Sequence, residues 1–413
     1  MSEIKSGKPL AALSIPHFRN FIIGRFLFIM SLRMMGTLVG WWVYELTGDP
    51  LALGLIGLSE VIPAVSMALY AGHIVDLNDR KKMIIRSVTA YTICLALLFL
   101  IAVLHANNQT LKLQIIVSIF LIIFCGGLIR AFSGPSFGAT IGHLVPQSLL
   151  PNATAWSQGS WLIASVIGHG LVGFLIAGLG IAVSLGIILS LCSIALMIFF
   201  RLPNIPPPPS VETKTWERVK EGLQFVWKTK TLLAAMSLDL FAVLLGGAVA
   251  MLPVFAKDIL NVGPVGFGWL NAAGDLGAIL VVTSLLILPL SKNQGKILMI
   301  TVFGFGASIV VFGLSTSFWL SLFALFMGGV LDGFSIVIRG TILQLQTPAH
   351  LRGRVLSVNS MFINSSNELG QFESGVAARI FGTVPSVVIG GCMTMVVAAI
   401  SWFKAKELRK LQY

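Results

Sequence analysis

Apolar residues run in long stretches along almost the whole chain, and short polar breaks separate these stretches. A helix of about 20 mostly apolar residues crosses the ~30 Å hydrocarbon core of a bilayer. The pattern therefore predicts an all-α membrane protein with about twelve transmembrane helices. Their approximate bounds are 19–46, 51–75, 82–104, 113–142, 152–177, 179–200, 231–256, 265–290, 296–315, 318–345, 355–380 and 385–403.

One long break divides the predicted helices into two sets. Residues 201–230 begin with a run of prolines, which cannot continue a helix, and go on with mixed charges at amphipathic spacing. We predict a six-helix bundle over 1–200, a cytoplasmic linker with a short amphipathic helix over 201–230, and a second six-helix bundle over 231–413.

The two sets of helices repeat each other in sequence. Superposing Gly126 on Gly328 also superposes Phe132 on Phe334 and Pro146 on Pro348. Parallel repeats related by an axis along the membrane normal are typical of one large class of transporters, whose binding site lies between the halves near mid-membrane. We therefore expect two pseudo-symmetric bundles, although repeats could also be structural economy.

Composition supports a polytopic membrane protein and excludes several function classes. Hydrophobic residues make up 56% of the chain and charged residues only 11%. The net charge of +12 comes mostly from the tails and from every second loop, which is typical of cytoplasmic segments. We expect both termini in the cytoplasm, membrane lipids as anionic neighbours and no nucleic-acid partner. The four cysteines lie in apolar stretches without metal-ligand spacing, so we expect no disulfide, metal or cofactor, and no catalytic site.

Ionisable residues inside the predicted helices are the strongest indication of function, because charge in hydrocarbon is costly and usually functional. Carboxylates without an arginine partner could bind and release protons during transport. Structural ion pairing is the rival interpretation for each of them. The candidates for substrate binding or proton coupling are Arg25, Glu60, Arg130, Asp239, Asp332, Arg339, Glu368 and Glu373.

Helical geometry gives some of these residues an expected place. Asp332 and Arg339 are two turns apart, about 10 Å along the axis, which predicts a shared face without direct contact. The sequence repeat places Arg130 opposite Asp332, and we hypothesise that they are charge partners. Glu368 and Glu373 point about 140° apart, so we expect one in a cavity and the other in a helix contact.

Aromatic side chains could form an adaptable apolar site for a large ligand. Packing or lipid contact is the more common role of such residues. The candidates for a central cavity are Trp41, Trp42, Phe132 and Phe334.

The loop after the second predicted helix carries a recognisable motif. The stretch from Gly72 through Asp76 to Lys82 resembles the signature Gly-x-x-x-Asp-Arg-x-Gly-Arg-Arg/Lys of the major facilitator superfamily, although Leu77 and Asp79 depart from it. The resemblance implies the major facilitator fold and a cytoplasmic gate. Its residues here are Gly72, Asp76, Arg80 and Lys81.

Other motifs resemble one bacterial branch of that superfamily, which includes enterobactin-type siderophore exporters and macrolide efflux proteins. They are Tyr44 to Gly54, Thr347 to Val355 and Ser365 to Gly375. A further motif, Arg130-Ala-Phe-Ser-Gly, is similar to the Arg-x-x-Gln-Gly motif of the superfamily's proton-driven exporters, with Ser133 in place of Gln. The resemblance implies a monomeric, multi-pass protein of the bacterial inner membrane that exports an amphipathic small molecule in exchange for protons. An importer or lipid-handling facilitator of the same fold, and a non-transporting membrane sensor, are the alternatives.

Overall fold

A computed structural model provides the structure, and it describes residues 10–107, 112–206, 215–287, 290, 292–348 and 351–412. Within the helices, the side chains of residues 69, 72, 73, 76, 107, 215–219, 286 and 287 lie outside this description. All regular structure in the described residues is helical, as the apolar pattern predicts.

Fourteen α-helices follow one another in the described residues. They are α1 Pro16–Thr47, α2 Pro50–Leu77, α3 Arg80–Asn107, α4 Lys112–Leu144, α5 Leu150–Phe200, α6 Thr215–Lys228, α7 Lys230–Leu245, α8 Leu252–Val254, α9 Gly263–Ile287, α10 Gln294–Leu314, α11 Phe318–Gln346, α12 Arg352–Phe381, α13 Thr383–Lys404 and α14 Lys406–Arg409. Short 3-10 turns cover Ala12–Ser14, Gln147–Leu149 and Ala248–Met251, and a π-helical turn covers Phe255–Ile259.

Ten helical segments of the described residues are long and apolar enough to cross a membrane, which is fewer than the predicted twelve. Two features account for the difference. One continuous segment, Gln147–Phe200, has 54 residues and contains Gly180, whose φ of 76° is not helical. Helix α12 is not among the ten, because polar and charged residues interrupt its apolar stretch.

Contacts group the chain into two compact units. Unit 1 comprises Met1–Val39 and Ile62–Glu212, and unit 2 comprises Gly40–Val61 and Thr213–Tyr413. The end of α1 and the beginning of α2 therefore belong by contact to unit 2. The predicted division at residues 200 and 230 follows the sequence repeat instead, and it stays a prediction.

Unit 1 has an aromatic core. The ring of Phe137 in α4 lies 5.4 Å from that of Phe28 and 5.5 Å from that of Phe199, and Phe28 contacts Tyr91 at 5.5 Å. The Tyr91 hydroxyl donates a 3.1 Å hydrogen bond to the Gly126 carbonyl. Aromatic packing thus joins α1, α3, α4 and the end of α5.

Unit 2 depends on glycine contacts between helices. A Cβ atom at Gly329 of α11 would lie 1.9 Å from the carbonyl oxygen of Gly274 in α9, and one at Gly277 would lie 2.2 Å from that of Phe326. Only glycine fits at such distances, so the backbones of α9 and α11 touch directly.

The segment Gly40–Val61 packs against α9 and α12 within unit 2. The ring of Trp41 lies 5.5 Å from that of Phe267, and the Tyr44 hydroxyl donates to the carboxylate of Asp258. A Cβ atom at Gly375 would lie 2.7 Å from the Cα atom of Gly54. Two facing glycines therefore set the distance between α2 and α12.

We expect Gly375→Ala to lower the melting temperature of the purified protein in detergent. The added methyl group meets the backbone of α2, and overpacking of this kind costs about 1–3 kcal/mol. The matched control is Gly340→Ala in α11, where an added Cβ meets nothing within 4 Å and alanine favours the helix. Equal melting temperatures for the two variants would contradict the proposed contact.

Candidate functional site

Three charged residues meet inside unit 2. The guanidinium of Arg339 in α11 forms an ion pair with the carboxylate of Asp239 in α7. Its other terminal nitrogen lies 3.9 Å from a carboxylate oxygen of Asp332, also in α11. The Arg339 Nε–H donates a 3.2 Å hydrogen bond to the Ser335 hydroxyl. One arginine therefore serves two aspartates, and a serine orients it.

The prediction that Asp332 and Arg339 are too far apart for direct contact was wrong. Their Cα atoms are two turns apart, but helical side chains lean towards the N-terminus, so the long Arg339 side chain reaches back along α11. The intervening Ser335 lies on the same face, one turn before Arg339, and holds it in that direction.

Burial differs sharply among the three charged residues. Asp239 is 6% exposed and Arg339 8%, whereas the side chain of Asp332 is 40% exposed. Asp239 and Arg339 thus form a desolvated ion pair, and Asp332 is the accessible member. Asp332 is therefore the more accessible of the two aspartates that contact Arg339.

A third aspartate, Asp275 of α9, belongs to the same cluster. The carboxylates of Asp275 and Asp239 both act electrostatically on that of Asp332. Asp275 follows Gly274, the glycine that lets α9 touch α11, so the close helix contact brings the two acids near each other. We call Asp239, Asp275, Asp332 and Arg339 the acidic cluster.

A small pocket opens beside the acidic cluster between α7, α10 and α11. Its lining combines two carboxylates and two hydroxyl groups with apolar side chains, which suits a proton or a water molecule better than a bulky ligand. The lining residues are Asp239, Ala242, Val243, Thr301, Val302, Phe305, Leu331, Asp332 and Ser335.

The family of the chain follows from a comparison over nearly its full length. The sequence model described as "Transmembrane secretion effector" matches residues 7–412. The chain belongs to this family. It is a branch of the major facilitator superfamily, as the motifs in the sequence suggest.

Curated relatives of this transporter include enterobactin exporters. The enterobactin exporter EntS of Shigella boydii serotype 4 (strain Sb227) is 24% identical over 400 residues, which cover 96% of this chain and 94% of the relative. EntS of Shigella flexneri is also 24% identical, and the match covers 96% of this chain and 93% of that relative. The transporter matches these relatives from end to end.

Solved structures support the fold. The nucleoside transporter NupG is 15% identical with a TM-score of 0.71, and the match covers 94% of this chain and 99% of NupG. A POT family transporter in complex with a thioalcohol-conjugated peptide is 10% identical with a TM-score of 0.75. This match covers 97% of this chain and 100% of the POT family transporter. Family and relatives together identify a multi-pass membrane transporter, which is not an enzyme.

The predicted acids of α2 and α12 lie within unit 2. A Cβ atom at Gly57 would lie 2.6 Å from the backbone carbonyl of Glu368, so Glu368, which is 5% exposed, lies at the helix contact. Glu60 follows Gly57 by one turn of α2. Glu373 is half-buried and accepts a 3.4 Å hydrogen bond from the Ser374 hydroxyl. A cavity role for Glu60, Glu368 or Glu373 stays a prediction.

Basic residues of unit 1 lie on the contact of α1 with α5. Arg25 donates a 2.9 Å hydrogen bond to the Ser157 carbonyl, and Arg33 lies 4.7 Å above the ring of Trp161. Further along the contact, the Thr37 hydroxyl lies 2.6 Å from Nδ1 of His169. The contact of α1 with α5 therefore contains two arginines and an aromatic ring.

Other predicted positions are placed, but their roles remain predictions. Arg130 of α4 is half-buried, and its pairing with Asp332 stays a prediction, whereas Arg339 is the basic neighbour of Asp332 within unit 2. Trp41 and Trp42 are buried, and Phe132 and Phe334 are half-buried.

The predicted cytoplasmic gate is only partly described. Arg80 is 7% exposed, and its guanidinium contacts Nε2 of His143. The backbone N–H of Arg80 donates a 3.0 Å hydrogen bond to the Ile205 carbonyl. Lys81 is half-buried. The surroundings of Gly72 and the side chain of Asp76 lie outside the described part, so the gate stays a prediction.

Sequence reasoning left Ser335, Thr301 and Arg33 out of the candidate site. Ser335 could have been found, because it lies three residues after Asp332 and four before Arg339, on one helical face. Thr301 gave no comparable signal, since its role depends on the packing of α10 against α11.

We expect Arg339→Gln to lower the free energy of unfolding by about 3–5 kcal/mol, because it leaves the buried charge of Asp239 without its partner. The double variant Asp239→Asn with Arg339→Gln removes both charges and should lose less stability. Thermal melting in detergent measures both effects.

The exposed ion pair of Arg379 with Asp49 is the matched control. Asp49→Asn should cost only about 0–1 kcal/mol, as exposed pairs usually do. If Asp49→Asn were as destabilising as Arg339→Gln, or if the double variant were the least stable, the buried pair would not have the proposed role.

Proposed function

We propose that this transporter is a proton-coupled exporter of an amphipathic small molecule across the bacterial inner membrane, working by alternating access. Full-length similarity to enterobactin exporters supports export. The acidic cluster of unit 2 is the observation that carries the coupling part of the proposal.

We propose twelve transmembrane helices for the transporter, with both termini in the cytoplasm. Ten segments qualify by length and composition. Dividing the 54-residue segment at Gly180 adds one, and α12 adds the other. A polar helix is acceptable within a membrane protein when its polar face lines a cavity or another helix.

The charge balance of the acidic cluster supports proton binding. The carboxylates of Asp239 and Asp332 share the guanidinium of Arg339, so ionisation of both leaves one more negative charge than Arg339 balances. An uncompensated charge is costly in a medium of low dielectric constant. A proton on Asp332, the accessible acid, relieves that cost.

Arg339 can link proton binding to helix positions. When Asp332 is ionised, it competes with Asp239 for the same guanidinium. When Asp332 is protonated, the attraction weakens and Arg339 pairs with Asp239 alone. A change of partner between α7 and α11 is the kind of two-state event that a transport cycle requires.

The pocket beside the acidic cluster is too small for an amphipathic small molecule. We propose an amphipathic small molecule that binds elsewhere, in contact with the predicted aromatic residues. The name of the curated relatives makes enterobactin the first compound to test.

The test uses purified transporter in proteoliposomes, with enterobactin flux and internal pH followed together. We expect an imposed pH gradient of about one unit to drive enterobactin accumulation of up to about tenfold for each exchanged proton, since one pH unit supplies about 1.4 kcal/mol. Asp332→Asn should abolish this response and leave flux down the enterobactin gradient.

The matched control is Glu407→Gln, which removes a carboxylate from an exposed pair with Lys230. It should respond to the pH gradient as the parent does. A gradient response that survives in Asp332→Asn would exclude the acidic cluster as the coupling site. Binding of enterobactin without flux under any gradient would indicate a sensor.

A further inference from the structure

Helix α6 has three distinct sides. Successive residues turn by about 100°, so Gly222 and Val226 share one side of the helix. Leu223 and Trp227 share another side, which is turned by about 100–140° from Gly222. Gln224 lies about 200° from Gly222, on the third side. Gln224 and Lys228 border the shallow groove that Leu223 and Trp227 line.

The first side docks onto unit 2. A Cβ atom at Gly222 would lie 3.1 Å from the backbone of Arg354, so α6 rests directly on the beginning of α12. Val226 is 2% exposed and packs in an apolar cluster with Leu351 and Val355. The Arg354 guanidinium also pairs with Glu221. The helix is therefore fixed to unit 2.

The second side is apolar and uncovered within the described residues. Trp227 is 71% exposed and Leu223 is 44% exposed. Exposed tryptophan next to leucine on a helix already docked by another side indicates a second contact surface.

The position of α6 identifies what covers this surface. Helix α6 ends at Lys228, and the apolar segment Lys230–Ile259 begins two residues later. Trp227 must therefore lie near the level where the chain enters the bilayer. Exposed Lys220 and Lys228 on the same helix add positive charge that complements anionic phospholipids.

We propose that α6 is an interfacial helix whose side formed by Leu223 and Trp227 inserts among anionic phospholipids of the adjoining leaflet. Tryptophan favours the boundary between head groups and acyl chains, and lysines flanking an apolar side strengthen binding to anionic lipid. On its docked side the same helix contacts the beginning of α12 through Gly222 and the pair of Glu221 with Arg354. This inference concerns a lipid site, and it holds whether or not protons drive transport.

The test compares a fluorescent label on the two uncovered sides of α6. In the full chain with Cys94, Cys125, Cys192 and Cys392 replaced by alanine, Leu223→Cys and Gln224→Cys are each labelled with an environment-sensitive dye. Both variants enter vesicles of phosphatidylethanolamine and phosphatidylglycerol. Melting temperatures equal to that of the cysteine-free parent show that each is folded.

We expect brominated phosphatidylglycerol to quench the dye at position 223 about twofold or more strongly than the dye at position 224. Aqueous iodide should quench the dye at position 224 more strongly than the dye at position 223. Lys220→Glu with Lys228→Glu should reduce the quenching by brominated phosphatidylglycerol while leaving that by brominated phosphatidylcholine unchanged. Equal quenching at the two positions, or stronger iodide quenching at position 223, would overturn the proposal.

Discussion

The cost of charge in a medium of low dielectric constant shapes unit 2 more than any other constraint. Arg339 and Asp239 are almost fully buried, and each is tolerable there only because the other is present. Asp332 shares the same guanidinium from the accessible side. A structural ion pair and a candidate proton site are thus parts of one arrangement, and the buried pair supplies the fixed point against which Asp332 can change its charge.

Glycine positions decide where these charges can meet. At Gly329 and Gly277 an added Cβ would overlap the neighbouring backbone, so α9 and α11 approach more closely than side chains would allow. That approach brings Asp275 towards Asp332. The facing glycines of α2 and α12 do the same for Glu368 and the segment that leads to Glu60. Small residues therefore organise the polar groups without contacting a ligand themselves.

The all-helical fold, the family and the presence of charged residues within the helices could be predicted from the sequence, because apolar length and intramembrane charge are local signals. The contact between Asp332 and Arg339 could not, since axial distance between Cα atoms ignores the reach and lean of an arginine side chain. The two helices predicted on either side of Gly180 form one continuous segment. Helix α12 does not count as an apolar segment because of its polar residues. The inclusion of Gly40–Val61 in unit 2 depends on tertiary contacts that a sequence repeat does not encode.

The direct backbone contact of α9 with α11 has a mechanical consequence. Two helices whose backbones touch without intervening side chains have little room to slide. Helices α9 and α11 therefore move together and hold Asp275 and Asp332 at a constant separation. Because a rigid contact cannot separate those two carboxylates, only a change in their protonation can relieve the repulsion between them.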